Sequence, residues 1–438
     1  MTSIYPAVLW IGVYLMLVLA PLLILLAGPM PPGGGFGWDL AMAAGFAGIA
    51  MLGVQFVLTA RFRRAAAPFG IDILYYFHRY LAVFAFALVC AHYLVIRAVN
   101  PDALGSFNPL VASGHMTAGR VALLCFALVI VSSLWRKPLR IPYEGWRVGH
   151  VLLTTAGLIL AVAHIEGVDY YHEAPGRRPF WIAFVTFWLL LVVYVRLIKP
   201  WRMRQRPYRV VTVTEETANT CTVAVEPEGH GGIRFQPGQF AWLTLRASPF
   251  ALREHPFSIA SSAETPQRLE FTIKSLGDFT RTVPTIRPGE TAFLDGPYGA
   301  FSVDRYAAPG FVFVAGGVGI APIMSMLRTL ADRQDTRPLL LVYANNRAEG
   351  ILFRDALAAL EKRLALQVVH VLQQPPAGWR GECGLVSQAL LEKTLPANRE
   401  QLEYFLCGPK PMTQCVEEFL HALHVPLGRV HSELFDLV

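Results

Sequence analysis

His78 and His92 lie fourteen residues apart in the run IDILYYFHRYLAVFAFALVCAHYLVIRAV, and His150 and His164 lie fourteen apart in WRVGHVLLTTAGLILAVAHIEGV. On an α-helix fourteen steps fall about 40° short of four full turns and rise about 21 Å. Each run therefore carries two imidazoles on one face, one per leaflet of a bilayer. Two such helices set face to face would make two stacked bis-histidine sites, the geometry for two haems that carry electrons across a membrane. The plain alternative is an intramembrane histidine that only hydrogen-bonds a neighbouring helix. Ionisable groups at membrane depth are costly and rare, and two equally spaced pairs favour ligation of iron. Zinc is a weak rival, because sites about 21 Å apart on one helix cannot share an ion whose ligands sit at about 2 Å.

The elements that must position these residues are apolar spans. Hydrophobic residues make up 54% of the 438-residue chain and charged residues 16%, with the apolar excess concentrated in the first two hundred positions. Six stretches are long enough to cross a bilayer: Pro6–Ala27, Trp38–Ala60, Ile73–Val99, Ala118–Trp135, Trp146–Glu166 and Phe180–Leu197. The N-terminus lacks a basic leader, so its apolar run is expected to be a retained first helix. Basic residues gather in alternate loops: Arg61, Arg63 and Arg64; Arg136, Lys137, Arg140 and Arg147; then Arg196, Lys199, Arg202, Arg204, Arg206 and Arg209. Only Arg177 and Arg178 run against this order, beside Glu166, Asp169 and Glu173. The positive-inside rule then places both termini in the cytoplasm and the chain in the plasma (bacterial inner) membrane. The third and fifth spans run in the same direction, so depth pairs His78 with His150 near the inner face and His92 with His164 near the outer face. Arg79 and Arg147 stand beside the inner pair, as bidentate partners for haem propionates or as ordinary interfacial anchors.

Beyond Arg206 the pattern becomes that of a soluble protein. YRVVTVTEE, TCTVAVEPE, GQFAWLTLR, HPFSIASS, RLEFTIKS and ETAFLDGPYG read as six strands of a small antiparallel barrel. From Gly310 strands alternate with amphipathic helices, as in a parallel α/β nucleotide-binding domain. The expected division is a six-helix membrane domain over 1–200, a β-barrel over 201–305 and an α/β domain over 306–438. The net charge of +7 is explained by membrane topology and does not point to nucleic acid. The six cysteines, Cys90, Cys125, Cys221, Cys383, Cys407 and Cys415, form no CxxC and suggest neither a disulfide framework nor a cysteine metal site.

FVFVAGGVGIAP, from Phe311 to Pro322, is a strand, a glycine turn and a helix start, which suits the approach of a pyrophosphate. HPFSIASS, KSLGDFT, GGVGIAP, LCGPKPM and SELFDL occur in that order. This succession resembles the ferredoxin–NADP reductase-type flavin module, and the preceding spans with their two histidine pairs resemble the ferric reductase transmembrane domain. Together they are similar to the ferric reductase and NADPH oxidase superfamily in its short bacterial form, over nearly the whole chain. The resemblance implies haem b at both histidine pairs, FAD and NAD(P)H. It implies that His255, Pro256, Phe257 and Ser258 contact the isoalloxazine and ribityl chain, that Arg253 neutralises the FAD pyrophosphate, and that Gly277, Asp278, Phe279 and Thr280 form a second flavin motif whose N–H groups and Thr hydroxyl suit a phosphate. Gly316, Gly317, Gly319 and Pro322 correspond to the nicotinamide nucleotide's phosphate turn. Cys407, Gly408 and Pro409 correspond to the motif beside the nicotinamide ring, and Phe435 to the C-terminal aromatic that covers the flavin. Without the resemblance, Phe257 and Phe435 read as core aromatics and Cys407 as a small buried residue.

The implied activity is transfer of electrons from cytoplasmic NAD(P)H through FAD and two haems to an acceptor on the outer side: oxygen (giving superoxide), a ferric chelate or a redox protein. The alternative is a haem-free, membrane-anchored flavin reductase that serves a separate partner. NADPH oxidases typically place a polar cluster near the outer haem. Here the second span's outer half holds no arginine and the position one turn after His92 is Ile96, which leaves Arg97, His115 and His172 at the outer side as candidates and disfavours dedicated superoxide production. Nucleotide choice turns on Tyr343-Ala-Asn-Asn-Arg347, which lacks the carboxylate that often binds a ribose 2′-hydroxyl. Arg347, with Arg354, suits a 2′-phosphate, so NADPH is preferred with NADH accepted. Arg347→Glu should therefore lower kcat/KM for NADPH far more than for NADH. Equal losses for both nucleotides would show that Arg347 does not read the 2′ position.

Overall fold

In a bilayer core every backbone N–H and C=O must be satisfied within the protein, so a long apolar run becomes a helix. The computed structural model of the chain describes residues 4–26, 34–62, 71–169 and 177–433. Six helices are long and apolar enough to cross a membrane. They are α1 (Ile4–Leu26), α2 (Phe36–Thr59), α3 (Ile71–Val99), α4 (Gly114–Leu134), α5 (Tyr143–Val168) and α6 (Arg177–Val193), the last running through a π-helical turn at Tyr194–Ile198 into Lys199–Arg204. Arg63, Arg64, His172, Glu173 and Phe435 lie outside the described residues.

The chain divides into two compact units, one ending at Trp201 and the other beginning at Arg202. Within the helical unit, Ile49 of α2, Ala122 and Phe126 of α4, Ala161 of α5 and Trp181 of α6 form one buried cluster. Val54, Leu158, Trp188 and Leu191 form a second. Many other large side chains on these helices are exposed, among them Leu94, Leu124, Leu152 and Leu190, as expected of surfaces that face lipid.

The second unit contains two sheets. Strands β1 (Tyr208–Thr217), β2 (Thr220–Pro227), β3 (Phe240–Leu245), β4 (His255–Ser258), β5 (Leu269–Lys274) and β6 (Thr291–Tyr298) pair antiparallel in the order β4-β3-β6-β1-β2-β5. The barrel expected from the sequence is present in open form. Its two edge strands meet only through an isolated bridge between Ile259 and Phe271, so the sheet curls without closing a continuous ladder. A short helix, α7 (Asp278–Thr282), precedes β6.

The second sheet is parallel throughout: β7 (Phe311–Gly316), β8 (Leu339–Asn345), β9 (Leu366–Leu372), β10 (Glu382–Cys383), β11 (Glu403–Cys407) and β12 (Val430–Glu433), in the order β10-β9-β8-β7-β11-β12. Helices α8 (Ile320–Asp332), α9 (Arg354–Glu361), α10 (Gln388–Thr394) and α11 (Lys410–Ala422) alternate with the strands. Strand order reverses at β7, which has β8 on one side and β11 on the other. In open α/β sheets ligands bind at the carboxyl ends of strands at such a switch point.

Helix α8 also joins the two sheets. Arg328 donates to the carbonyl of Ala260 (2.9 Å) and pairs with Glu270 (2.7 Å), while Ser325 Oγ donates to the carbonyl of Ser261 (2.8 Å). Arg333 reaches Glu264 and Asp304 at 2.6 and 2.5 Å, and these carboxylates hold its proton more firmly than usual. The β7–α8 turn is thereby fixed relative to the barrel. Gly319, in that turn, has no room for a side chain: a Cβ would lie 2.1 Å from the carbonyl oxygen of Cys407 on β11. Because the clash is with backbone, Gly319→Ala should force β7 and β11 apart and cost about 1–3 kcal/mol of stability. A thermal melt matching the unsubstituted protein, with unchanged NAD(P)H affinity, would show that this contact yields freely.

Candidate functional site

The structure brings the four intramembrane histidines together in the two pairs that depth suggested. The ring centres of His78 and His150 are 6.2 Å apart, and those of His92 and His164 are 6.5 Å apart. All four imidazoles engage a protein partner through Nδ1. His92 Nδ1–H donates to the carbonyl of Ala41 (2.8 Å) and His164 Nδ1–H to the carbonyl of His115 (3.1 Å). His78 Nδ1–H donates to Gln55 Oε1 (2.9 Å), and the Gln55 amide in turn donates to the carbonyl of Met51. His150 Nδ1 meets Ser133 Oγ at 3.4 Å, and that hydroxyl spends its hydrogen on the carbonyl of Val129 (2.6 Å). A carbonyl or amide oxygen can only accept, and the Ser133 hydroxyl has no second hydrogen to give, so each Nδ1 carries the proton and each Nε2 keeps its lone pair.

This arrangement fits a metal held between trans imidazoles. A metal–nitrogen bond of about 2 Å on each side, plus about 1.1 Å from each nitrogen to its ring centre, separates the centres by about 6.2 Å. Histidine ligands characteristically donate their other N–H to a carbonyl or similar acceptor. Two glycines make the close approach of helices possible. A Cβ on Gly45 would lie 2.8 Å from His92 Nδ1, and one on Gly119 would lie 2.8 Å from His164. Trp146 packs on His150 with ring centres 5.1 Å apart, and the Arg136 guanidinium lies 5.9 Å from the Trp146 ring. A cavity opens at the His92–His164 level, lined by both imidazoles, Gly45, Gly119, Ile96 and Arg120.

In the second unit the flavin-motif residues sit on one edge of the barrel. His255 to Ser258 form β4, an edge strand, and Phe279 stacks on His255 with ring centres 3.9 Å apart and lies 6.3 Å from Phe257. Ser258 is buried and Arg253 exposed. Gly277 and Asp278 begin α7, and the Thr280 hydroxyl accepts from the N–H groups of Leu276 (2.8 Å) and Gly277 (2.9 Å). These groups, which the sequence offers to a phosphate, are here engaged with one another.

The nucleotide motifs converge on the switch point. Gly316 ends β7, and Gly317 and Gly319 form the turn into α8, whose start has no side-chain cap, while the Ile320 N–H already donates to the carbonyls of Gly317 and Val318. Pro322 lies in the first turn of α8, where its missing N–H costs nothing. Cys407 pairs in register with Ala315 on one side and Glu433 on the other, so Gly408 and Pro409 emerge beside Gly316. Arg347 is exposed at the end of β8, where its Nε donates to Gln374 (2.9 Å).

Comparison with known proteins matches these parts one by one. Residues 44–162 match the ferric reductase like transmembrane component, residues 205–302 an FAD-binding domain and residues 313–418 an oxidoreductase NAD-binding domain. The chain is a ferric reductase-like membrane domain fused to an FAD- and NAD-binding oxidoreductase module. NADH-cytochrome b5 reductase 1 of Pyricularia oryzae is 33% identical over 186 residues, which cover 41% of this chain and 60% of the relative. The reductase component of propane 2-monooxygenase from Rhodococcus jostii is 29% identical over 242 residues, covering 53% of this chain and 63% of the relative. The chain thus spans less than two thirds of the length of either relative. The crystal structure of a flavohemoglobin from Malassezia yamatoensis with bound FAD and heme covers 91% of this chain and 96% of its own at a TM-score of 0.50 and 17% identity, a likeness of fold alone.

Gln55, Ser133, Arg120 and Glu433 are site-lining residues that sequence reasoning did not single out. Gln55 carried a usable signal, as an amide inside an apolar run. Cys407 is fully buried, and burial followed by the nearby Glu433 pushes its thiol well above the usual range. Its proton therefore stays in place, and rate profiles should show no Cys407 inflection between about pH 6 and 9. Brief alkylation of the native protein should label exposed Cys383 and Cys415 and spare Cys407. Mass spectrometry finding Cys407 modified as fast as Cys415 would contradict this burial.

Proposed function

We propose that the protein carries electrons from cytoplasmic NAD(P)H, through FAD and two b-type haems, to an acceptor on the outer side of the plasma membrane. The acceptor class is oxygen, a ferric chelate or a redox protein. The observation that carries this reading is the pair of imidazole couples, each with Nδ1–H bonded inward to the protein and ring centres at 6.2 and 6.5 Å. Backbone or side-chain acceptors fix the tautomer, so His78 and His150, and separately His92 and His164, would each keep an Nε2 lone pair available to iron.

In the second unit, His255, Pro256, Phe257, Ser258 and Phe279 would hold the flavin ring system, with Arg253, Gly277, Asp278 and Thr280 toward its phosphates. Thr280 would then exchange an internal bond for one to the ligand. Gly316, Gly317, Gly319 and Pro322 would seat the nucleotide pyrophosphate on the start of α8, with Arg347 toward the ribose 2′ position. Cys407, Gly408 and Pro409 would flank the nicotinamide, and Phe435 would cover the flavin. Flavin, when bound, supplies the conversion between a two-electron hydride donor and one-electron carriers. The protein's own part is to orient these partners and exclude water. With the cytoplasm negative, outward movement of an electron gains about 2.3 kcal/mol per 100 mV.

Because each iron has its own ligand couple, His92→Ala or His164→Ala should remove one haem and leave the other. Pyridine haemochromogen assay should give half the haem of the unsubstituted protein, while NAD(P)H still reduces the flavin and delivery to an external acceptor collapses. Undiminished haem in both variants would refute the ligand assignment. A colourless, flavin-only preparation of the unsubstituted protein would point to a haem-free reductase serving a separate partner.

A further inference from the structure

The cavity at the His92–His164 level is aromatic and aliphatic apart from its two imidazoles and one charged side chain, Arg120. Arg120 lies in the second turn of α4, close to where that helix enters the apolar slab. Each of its two terminal nitrogens already makes one hydrogen bond. Nη1 donates to the carbonyl of Ser106 (2.7 Å) and Nη2 to that of Leu104 (2.5 Å), both on the segment between α3 and α4. The Phe107 ring centre lies 4.5 Å from the guanidinium carbon. These contacts fix the plane of the fork. They supply dipoles and a π-face but no negative charge. The Nε–H is buried and has no acceptor. Among the described residues no carboxylate pairs with this arginine.

A buried donor without an acceptor is costly, and a cation held in an apolar cavity without an anion is costlier still. Natural structures keep such a group where a ligand supplies the missing partner. A guanidinium whose orientation is fixed by two carbonyls and an aromatic ring selects a planar, anionic oxygen ligand over a spherical or neutral one. The neighbouring imidazoles cannot serve, because an imidazole supplies no negative charge and their Nδ1–H groups are spent on Ala41 and His115.

We propose that Arg120 is a carboxylate-holding residue of the His92–His164 cavity. The inference rests on the reading of His92 and His164 as haem ligands. Two sources offer that chemistry at this place: a propionate of the haem held there, or a carboxylate of a ferric chelate arriving from the outer side. The first makes Arg120 a group that sets the potential of one haem; the second makes it a group that selects the acceptor.

The test uses the full-length, haem-loaded protein with Arg120→Gln and Arg120→Lys. Redox titration with no acceptor present reads the two haem transitions separately. Steady-state turnover is then measured with ferric citrate and with an uncharged quinone. If the carboxylate belongs to the haem, Arg120→Gln moves one transition to lower potential or lowers its haem occupancy, and the other transition stays put. If it belongs to the chelate, both transitions stay put, KM for ferric citrate rises about tenfold or more and quinone turnover is unchanged. Arg120→Lys keeps the charge but not the fork, and should show a smaller change of the same kind; it decides the matter if Arg120→Gln does not accumulate. Variants with unchanged transitions, haem content and citrate KM overturn the inference while the haem reading stands. An unsubstituted protein without haem bands overturns the haem reading, and this inference falls with it.

Discussion

The helical unit is organised around the need of four imidazole N–H groups for acceptors where no water is available. In an aqueous site an unanchored ring can rotate and exchange tautomers, because solvent satisfies either nitrogen. In an apolar slab a buried N–H must find a protein acceptor or bear the full desolvation cost. Here each Nδ1 finds one, and in every case the acceptor comes from the neighbouring helix: Ala41 and Gln55 from α2 for the histidines of α3, His115 and Ser133 from α4 for those of α5. The requirement that orients the rings therefore also pairs the helices. Gly45 and Gly119 follow from it, since the upper imidazoles reach their acceptors only where the facing helix lacks a Cβ.

The second unit meets a different demand, which is to bring two chain segments far apart in sequence to one point. It does so through strand order. Parallel pairing of β7 with both β8 and β11 puts the glycine turn after Gly316 beside the Cys407-Gly408-Pro409 segment, almost ninety positions later in the chain. The side chains of α8 then tie this point to the barrel through Arg328 and Arg333. Each of these ion pairs is partly exposed and individually modest. Combined with the buried Ser325 and Thr329 bonds to the Ser261–Ala263 backbone, they form a dense polar seam along one face of a single helix.

What the sequence made legible follows from this physics. An ionisable residue in an apolar run is conspicuous, so the four histidines could be read directly, and their equal spacing conveyed the two levels. Six spans and two kinds of sheet followed from hydrophobic periodicity. The acceptors were illegible where they are backbone carbonyls, because the carbonyls of Ala41 and His115 leave no trace in residue type. Arg120 was missed because it sits at the start of a span, where a basic residue ordinarily reads as an interfacial anchor. In the second unit the motifs were legible but their contacts were not. Nothing in GGVG or LCGP states that Gly319 must lie against the carbonyl of Cys407, which depends on strand register. The barrel's strands were readable, while its open seam at Ile259 and Phe271 depends on curvature that no local pattern encodes.

The two levels differ in one respect that pairing alone does not require. At His92 and His164 the acceptors are main-chain carbonyls, whose strength is the same whichever residues occupy positions 41 and 115. At His78 and His150 they are side chains, an amide at 2.9 Å and a hydroxyl at 3.4 Å whose own hydrogen is already committed. An acceptor's strength governs how much electron density its imidazole offers to a bound metal. The level built on main chain is thus set by helix placement, and the level built on side chains is open to adjustment by single substitutions at Gln55 and Ser133. Under the electron-carrying role proposed above, such adjustment would change the relative standing of the two levels without disturbing the helix pairing that both depend on.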